Sequence, residues 1–559
     1  MEAVLKNALV YTSNAARPWA DTLVVDGSRI AFVGKESDWD RRDPIAEIDM
    51  EGRMILPGLI DSHTHPTRVA KSQWHVRLPW THDLAEILRF IREFGDEHPK
   101  EEMPFLYFEY YPSTLFGDGR PTKELLDSAI SDRPVLCQDH SEHSHWVNSR
   151  MLELLEVTKD TPDPMPGLEM FARDEHGQPT GHVLENAHQH FLQTMYDSLG
   201  WCPPEEITAE NILPVLRFMS EYGVTALFEA LTDDEDTLRA LSELEADGKL
   251  HLYYEGSQRF RTLDDLPAAV AKAQELQSTY GSGRIRTRTL KLFLDGTNEN
   301  GNSALLEPWS NDPAGQNLGE IQMEAAELTE CLLLCNSSDL DLHIHMVGDR
   351  AFRTACDAVE AARARTAATG EPWRTQVTFA HCELVDPQDM ARPAELDIIV
   401  NWTTHWSGGY FGEESKNYLG EARWNRMYEF NAIAEHGAAL TFSSDVVTNY
   451  ELHRASPFFG MQVAQSRIDP EFPLDTQKHA DGVRPNGTSR LTLERMLNGY
   501  TIAGARQLRI DDRVGSLEVG KVANFVVLPE NVFGLGSAEL RTMKPSAVFF
   551  EGETVVGSL

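Results

Sequence analysis

Residues 54–65 read Met-Ile-Leu-Pro-Gly-Leu-Ile-Asp-Ser-His-Thr-His. The stretch is apolar through residue 60 and polar at its end, as in a buried strand that delivers side chains at its C-terminal tip. Residues two apart on a strand share a face, so His63 and His65 present two imidazoles side by side. Imidazole is the commonest metal-ligand side chain and suits zinc and similar divalent ions. Alone the pair is weak evidence, because surface histidines two apart arise by chance.

Later apolar runs close on residues of matching chemistry. Residues 289–294 (Thr-Leu-Lys-Leu-Phe-Leu) carry Lys291 and lead into Asp295-Gly296. Residues 341–348 (Asp-Leu-His-Ile-His-Met-Val-Gly) carry His343 and His345. Phe-Ala-His-Cys-Glu at 379–383 presents His381, and Thr-Phe-Ser-Ser-Asp at 441–445 ends on Asp445. A charged lysine inside a buried run is costly, and carboxylation by carbon dioxide would turn it into an anionic bridging ligand. A salt-bridged core lysine, a satisfied core histidine or a helix N-cap aspartate is the commoner reading of any one residue. Their joint placement at successive strand ends is what those readings leave unexplained.

From residue 54 onward, strand-like and helix-like runs alternate. Strands are expected near 54–61, 224–230, 251–256, 289–294, 341–347, 376–382, 397–402 and 439–444. Helical spacing recurs at 206–221, 234–247, 264–279, 322–337, 350–367 and 426–436. This is the α/β signature of a (β/α)8, TIM-like barrel, whose chemistry sits at the C-terminal strand ends. A doubly wound sheet is the structural rival, but it would not converge ligands from a first and an eighth strand. Residues 66–205 are too long for a loop and read as an inserted lid or substrate domain, with Trp74, Trp80, Tyr107, Tyr110, Tyr111 and a histidine-rich stretch at 140–145. Strands at 4–11, 22–25, 29–33 and 45–50 are echoed by 523–528, 547–551 and 554–556, with a hairpin signal at Asp26-Gly27.

The pattern resembles the amidohydrolase superfamily, and within it the amidohydrolase 3 or YtcJ-like branch that includes N-substituted formamide deformylase. The match runs through 57–66 (Pro-Gly-Leu-Ile-Asp-Ser-His-Thr-His-Pro), 291–296 (Lys-Leu-Phe-Leu-Asp-Gly) and 345–351 (His-Met-Val-Gly-Asp-Arg-Ala). It continues through 143–149, 181–187 and 515–521, and so covers essentially the whole chain. Asn524 departs from the usual Asp, and residues 401–406 depart from the usual Gln-Pro.

The resemblance implies three units. They are a composite β-sandwich from both termini (1–53 plus 510–559), the barrel (54–65 plus 206–509) and the insertion (66–205). It implies two zinc ions bridged by carboxylated Lys291, with His63 and His65 on one, His345 and His381 on the other, and Asp445 on the first. Spacing alone leaves His343 and His345 equivalent; the family motif chooses His345. Asp445 would orient a metal-activated hydroxide, take its proton and pass it to the departing nitrogen. His143, His405 and Arg423 are the candidate substrate-binding residues.

The expected reaction is hydrolysis of a small non-peptide amide, an N-substituted formamide or related N-acyl amine. The aromatics are compatible with an N-aryl or N-benzyl group. The alternatives are a cyclic-amide hydrolase or heterocycle deaminase on the same metals, and a non-catalytic scaffold on the same barrel. Single-metal deaminases of this superfamily usually lack the strand-four lysine, which is present here.

The 559 residues carry a net charge of −38, which repels nucleic acid and anionic membrane. No signal peptide or spanning segment is apparent and the six cysteines form no framework. A cytoplasmic enzyme acting on a small molecule is expected, without nucleic-acid or membrane partners and with a homodimer left open.

Overall fold

At Gly58 the chain leaves one sheet and enters another. The computed structural model describes residues 2–40, 46–117, 119–232, 235–409, 411–484 and 489–559. In it, Met54–Pro57 lies between Leu9–Tyr11 and Phe525–Leu528. Leu59–Thr64 (β1) instead pairs in parallel with Val224–Glu229 (β2). The single strand expected at 54–61 is therefore two, and the boundary expected at residue 54 falls at Gly58. A Cβ there would sit 2.1 Å from Thr225 Oγ1, so only glycine leaves room for the Thr225 side chain against this stretch of backbone. The Gly58 N–H donates to the Asn524 carbonyl (2.9 Å), and Asn524 Oδ1 accepts from Glu551 N (2.7 Å). Asn524 thus ties the terminal sheet to the start of the barrel.

The barrel continues with Tyr253–Arg259 (β3), Ile285–Phe293 (β4), Asp341–Met346 (β5), Val377–His381 (β6), Ile398–Thr403 (β7) and Ala439–Ser443 (β8). Every neighbouring pair is parallel, and the order follows the chain without reversal. Main-chain bonds from Asp445 N to His63 O (2.9 Å) and from His65 N to Val446 O (3.2 Å) bring the last strand back to the first. A doubly wound sheet would reverse its order part-way, so the barrel is the observed solution. The helices pack outside. Asp349–Thr369 buries Ala351, Phe352, Ala355, Val359 and Ala362 at three- and four-residue spacing, and Phe352 meets Phe379 of β6 edge-on at 5.4 Å.

Both chain ends share one unit. The 4-stranded sheet holds Arg29–Gly34, Thr22–Asp26, Glu2–Lys6 and Ala46–Asp49, in that order. The second sheet places strands from both termini around Met54–Pro57. Leu5, Val25, Ile55, Phe525 and Phe549 pack in one apolar cluster between them. The run expected as one strand at 4–11 is split between the two sheets, and Asn7 turns the chain with φ at 51°. Ile45 and Asp234, at the edges of an expected strand and an expected helix, lie outside the described residues.

The insertion builds its own sheet, running Met170–Arg173, Pro179–Leu184, Ser144–Val147, Val135–Asp139, Leu106–Tyr111 and Val76–Arg77. Its loops carry Glu142, His143 and Glu185 onto the wall of a cavity at the barrel mouth. Cys331 and Cys335 are buried and unbridged in the helix Ala325–Ser338. Among the described residues, no helix is long and apolar enough to cross a membrane.

Candidate metal centre

The tips of β1, β4, β5, β6 and β8 converge on a cavity lined by His63, His65, Lys291, His345, His381 and Asp445. Asp445 stands at its centre. One carboxylate oxygen lies 3.1 Å from His65 Nε2 and 3.5 Å from His63 Nε2, and the other lies 3.5 Å from His381 Nδ1. Lys291 Nζ is 3.4 Å from His63 Nε2, and the His345 and His381 rings are 4.4 Å apart. The backbone is bent to achieve this. His381, Cys382 and Asp445 have φ of 73°, 41° and 50°, a region costing non-glycine residues about 1–3 kcal/mol each. Cys382 N donates to Met346 O (2.9 Å) and Asp445 N to His63 O, which hold the strained tips in place.

The donor set fits a divalent ion. Donor atoms of His63, His65 and Asp445 lie within 4.8 Å of one another, a spread that ligand bonds of roughly 2 Å can gather with small rotations. Burial pushes His63, His65, His345 and His381 below the ordinary imidazole range, so their rings are neutral and keep a lone pair. His345 Nε2–H donates to the Gly296 carbonyl (3.1 Å), leaving Nδ1 as an acceptor. Nδ1 of His65 and of His381 are buried without a hydrogen-bond partner. Burial also lowers Lys291 to about 7; Asp445 resists this and Arg259 reinforces it.

His343 shares the inward face of β5 with His345 but sits one layer deeper, in register with Lys291, whereas His345 is level with Phe293. Its Nε2 lies 2.9 Å from His63 Nδ1, so it orients the His63 ring. Such supporting partners are worth 10–100-fold in metal affinity. His343→Ala is accordingly expected to weaken metal binding by about that factor in a chelator competition; unchanged affinity would remove this role.

The remaining candidates separate. His143 reaches the cavity from the insertion, its Nδ1 2.6 Å from Glu185 Oε2 and its ring 6.2 Å from that of His345. Burial opposes its charge, but Glu185 outweighs burial and raises it to about 9. His405 is buried beside Trp406 and Phe459 and does not line the cavity. Arg423 turns away, donating to the carbonyls of Leu419 (2.6 Å), Glu307 (2.9 Å) and Pro308 (2.8 Å). Those carbonyls account for its guanidinium, so the structure gives it a loop-fastening part in place of the expected substrate contact. Asn401 spans β7 and β8 through Thr441 and Ser443.

The structure adds residues that sequence reasoning did not name. Trp406 stacks on His381 (5.3 Å, 18°), and Arg68, Glu142 and Glu451 line the wall. Glu185 lay inside a quoted family motif, which was the available signal. Asp61 accepts from Ser444 Oγ (2.6 Å) and Ser444 N (3.1 Å), clasping β1 to the tip of β8.

The sequence pattern of the amidohydrolase family matches residues 46–556, a span holding all of these side chains. The chain belongs to the amidohydrolase family. It is therefore a hydrolase of carbon–nitrogen bonds other than peptide bonds, and the family implies a divalent metal at this mouth. Among relatives, N-substituted formamide deformylase of Arthrobacter pascens is 24% identical over 568 residues, covering 99% of this chain and 97% of that one. The exoenzymes regulatory protein AepA of Pectobacterium carotovorum subsp. carotovorum is 28% identical over 447 residues, covering 78% and 92%. An uncharacterized metal-dependent hydrolase from Pyrococcus horikoshii OT3 superposes with a TM-score of 0.68 at 22% identity, covering 96% and 99%, which shows the shared fold.

Proposed function

We propose that this amidohydrolase cleaves the C–N bond of a small non-peptide amide, an N-substituted formamide or related N-acyl amine, at a centre of two zinc ions. The observation that supports it is the convergence of His63, His65, Lys291, His345, His381 and Asp445 on one cavity. His63 and His65 would hold one ion with Asp445, and His345 and His381 the other. Lys291, lowered by burial to about 7 so that a substantial share is the free amine near neutral pH, is the amine that carbon dioxide would carboxylate into the bridge. A divalent ion held there supplies a water of lowered pKa and polarises the amide carbonyl.

The chain's own groups do the rest. Asp445 takes the proton of the attacking water and returns it to the departing nitrogen, so one carboxylate serves as base and then acid. Its two oxygens already face histidines on both sides of the cavity. Cationic His143 stands beside His345, where it stabilises charge developing on the carbonyl oxygen. Trp406 covers His381, and the insertion covers the mouth, limiting water. The acidic surface suits a small-molecule substrate in the cytoplasm, without nucleic-acid or membrane partners.

Metal analysis and a panel of N-formyl, N-acyl, carbamate and cyclic-amide compounds test this reading. Near two equivalents of zinc with turnover of N-formyl amines is expected. Turnover confined to heterocycles would move the reading to a cyclic-amide hydrolase or deaminase. No metal and no turnover would make the barrel a scaffold.

A further inference from the structure

A second chamber, of about 310 Å³, lies between the insertion and the barrel and is larger than the metal cavity, at about 70 Å³. The two share Arg68, Glu142, Asn186, Leu231 and Val447, so they meet at a common neck.

The chamber is polar in a particular way. Glu109 Oε2, Glu142 Oε1, His75 Nε2, His188 Nδ1 and Thr448 Oγ1 are all buried on its wall without a hydrogen-bond partner. Folded proteins pair nearly all such atoms, and leaving a buried donor or acceptor unmet costs about 1–3 kcal/mol. Five gathered around one space point to a ligand with polar groups. An aromatic ring would leave them unmet.

The sign of the ligand follows from the neck. Arg68 stands one helical turn beyond His65 in the helix Pro66–Lys71. Among the described residues, no carboxylate lies within ion-pair distance of its guanidinium. The nearby acids are otherwise engaged. His75 Nδ1 is hydrogen-bonded to Glu109, so the charges of that pair offset, and Glu205 lies 4.0 Å from His75 Nε2, beyond hydrogen-bond reach. Glu142 is held at the neck by a left-handed backbone, φ 65°. Burial, reinforced by Glu451 and opposed by Arg68, raises it well above the ordinary carboxylate range, so its negative charge is disfavoured beside Arg68.

We propose that this chamber receives the amine side of the substrate and that Arg68 pairs there with an anionic group. The preferred substrates are then N-acyl amines bearing a carboxylate, not uncharged N-aryl or N-benzyl amides. This rests on the amide-hydrolase reading above and narrows it. Arg68 is a specificity-determining residue in this scheme and takes no part in bond cleavage.

The test compares N-formylalanine and N-formylphenylalanine, as both enantiomers, with N-formylethylamine and N-formylphenethylamine, which lack only the carboxylate. Dissociation constants are measured on metal-loaded Asp445→Asn protein and kcat/KM on the wild type. At least tenfold tighter binding of one carboxylate enantiomer is expected. Arg68→Gln should abolish that preference without weakening the uncharged compounds, and Arg68→Lys should restore part of it. Equal binding of both classes, no binding of either, or a preference that survives Arg68→Gln would overturn the assignment. A preference in binding with no hydrolysis would uphold Arg68 and instead sink the amide-hydrolase reading.

Discussion

Asp445→Asn is expected to lower kcat at least 10³-fold while metal content stays close to wild type. A positioned general acid–base group contributes roughly 10²–10⁴-fold, and here one residue is asked to act in both directions. The substitution isolates that chemistry. Asparagine keeps the volume and one oxygen toward His65, where Asp445 now stands at 3.1 Å. It also tolerates the left-handed backbone, φ 50°, better than most residues. The main-chain bond from residue 445 to His63 O does not involve the side chain and persists. What disappears is the ability to accept a proton from water and hand it to nitrogen. Elemental analysis beside steady-state kinetics decides it, and a variant retaining more than a tenth of kcat would end the proton-shuttle assignment.

Lys291→Met should remove about one equivalent of metal and lower kcat/KM by at least about 100-fold, a loss of roughly 3 kcal/mol in transition-state stabilisation. Lys291 is buried on β4, with Nζ 3.4 Å from His63 Nε2 and 4.9 Å from the Phe293 ring. An ammonium there would be poorly solvated among neutral histidines, which is why burial lowers it to about 7. An unbranched methionine fills the same space without a polar atom, so the fold should hold and the melting temperature should not fall. A merely structural lysine predicts a different pair of results, namely unchanged metal stoichiometry and unchanged turnover. The wild-type protein, stripped of metal, should also regain activity faster when zinc is returned with bicarbonate than with zinc alone.

Much of this centre could be read before any coordinates. A strand period of two placed His63 with His65, and His343 with His345, on common faces, and strand-end position pointed to Lys291, His381 and Asp445. All of these residues reach the mouth of the barrel, with His343 beneath the others. Periodicity carries no depth, however. His343 and His345 are indistinguishable by spacing, yet one bonds His63 from below and the other lines the cavity. Motif position misled at Arg423, whose guanidinium is taken up by backbone carbonyls, because a motif records that a residue is kept without recording what it touches. Apolar character ran on through residue 57, hiding the change of sheet at Gly58; both sheets bury that segment, and burial alone does not say against what.

The linear order of residues thus dictated the alternation of strands and helices, the inward faces and the kinds of donor at the strand tips, since each depends on neighbours along one strand. Barrel closure decided which distant tips touch, how deep each imidazole lies, and which insertion loops complete the wall. Arg68 shows the division clearly. Along the chain it is an ordinary basic residue three places after a histidine, and it becomes a candidate for substrate recognition only because Glu142 and Val447 fold in around it. Contacts between residues separated by hundreds of positions are set by three-dimensional packing, and no local pattern encodes them.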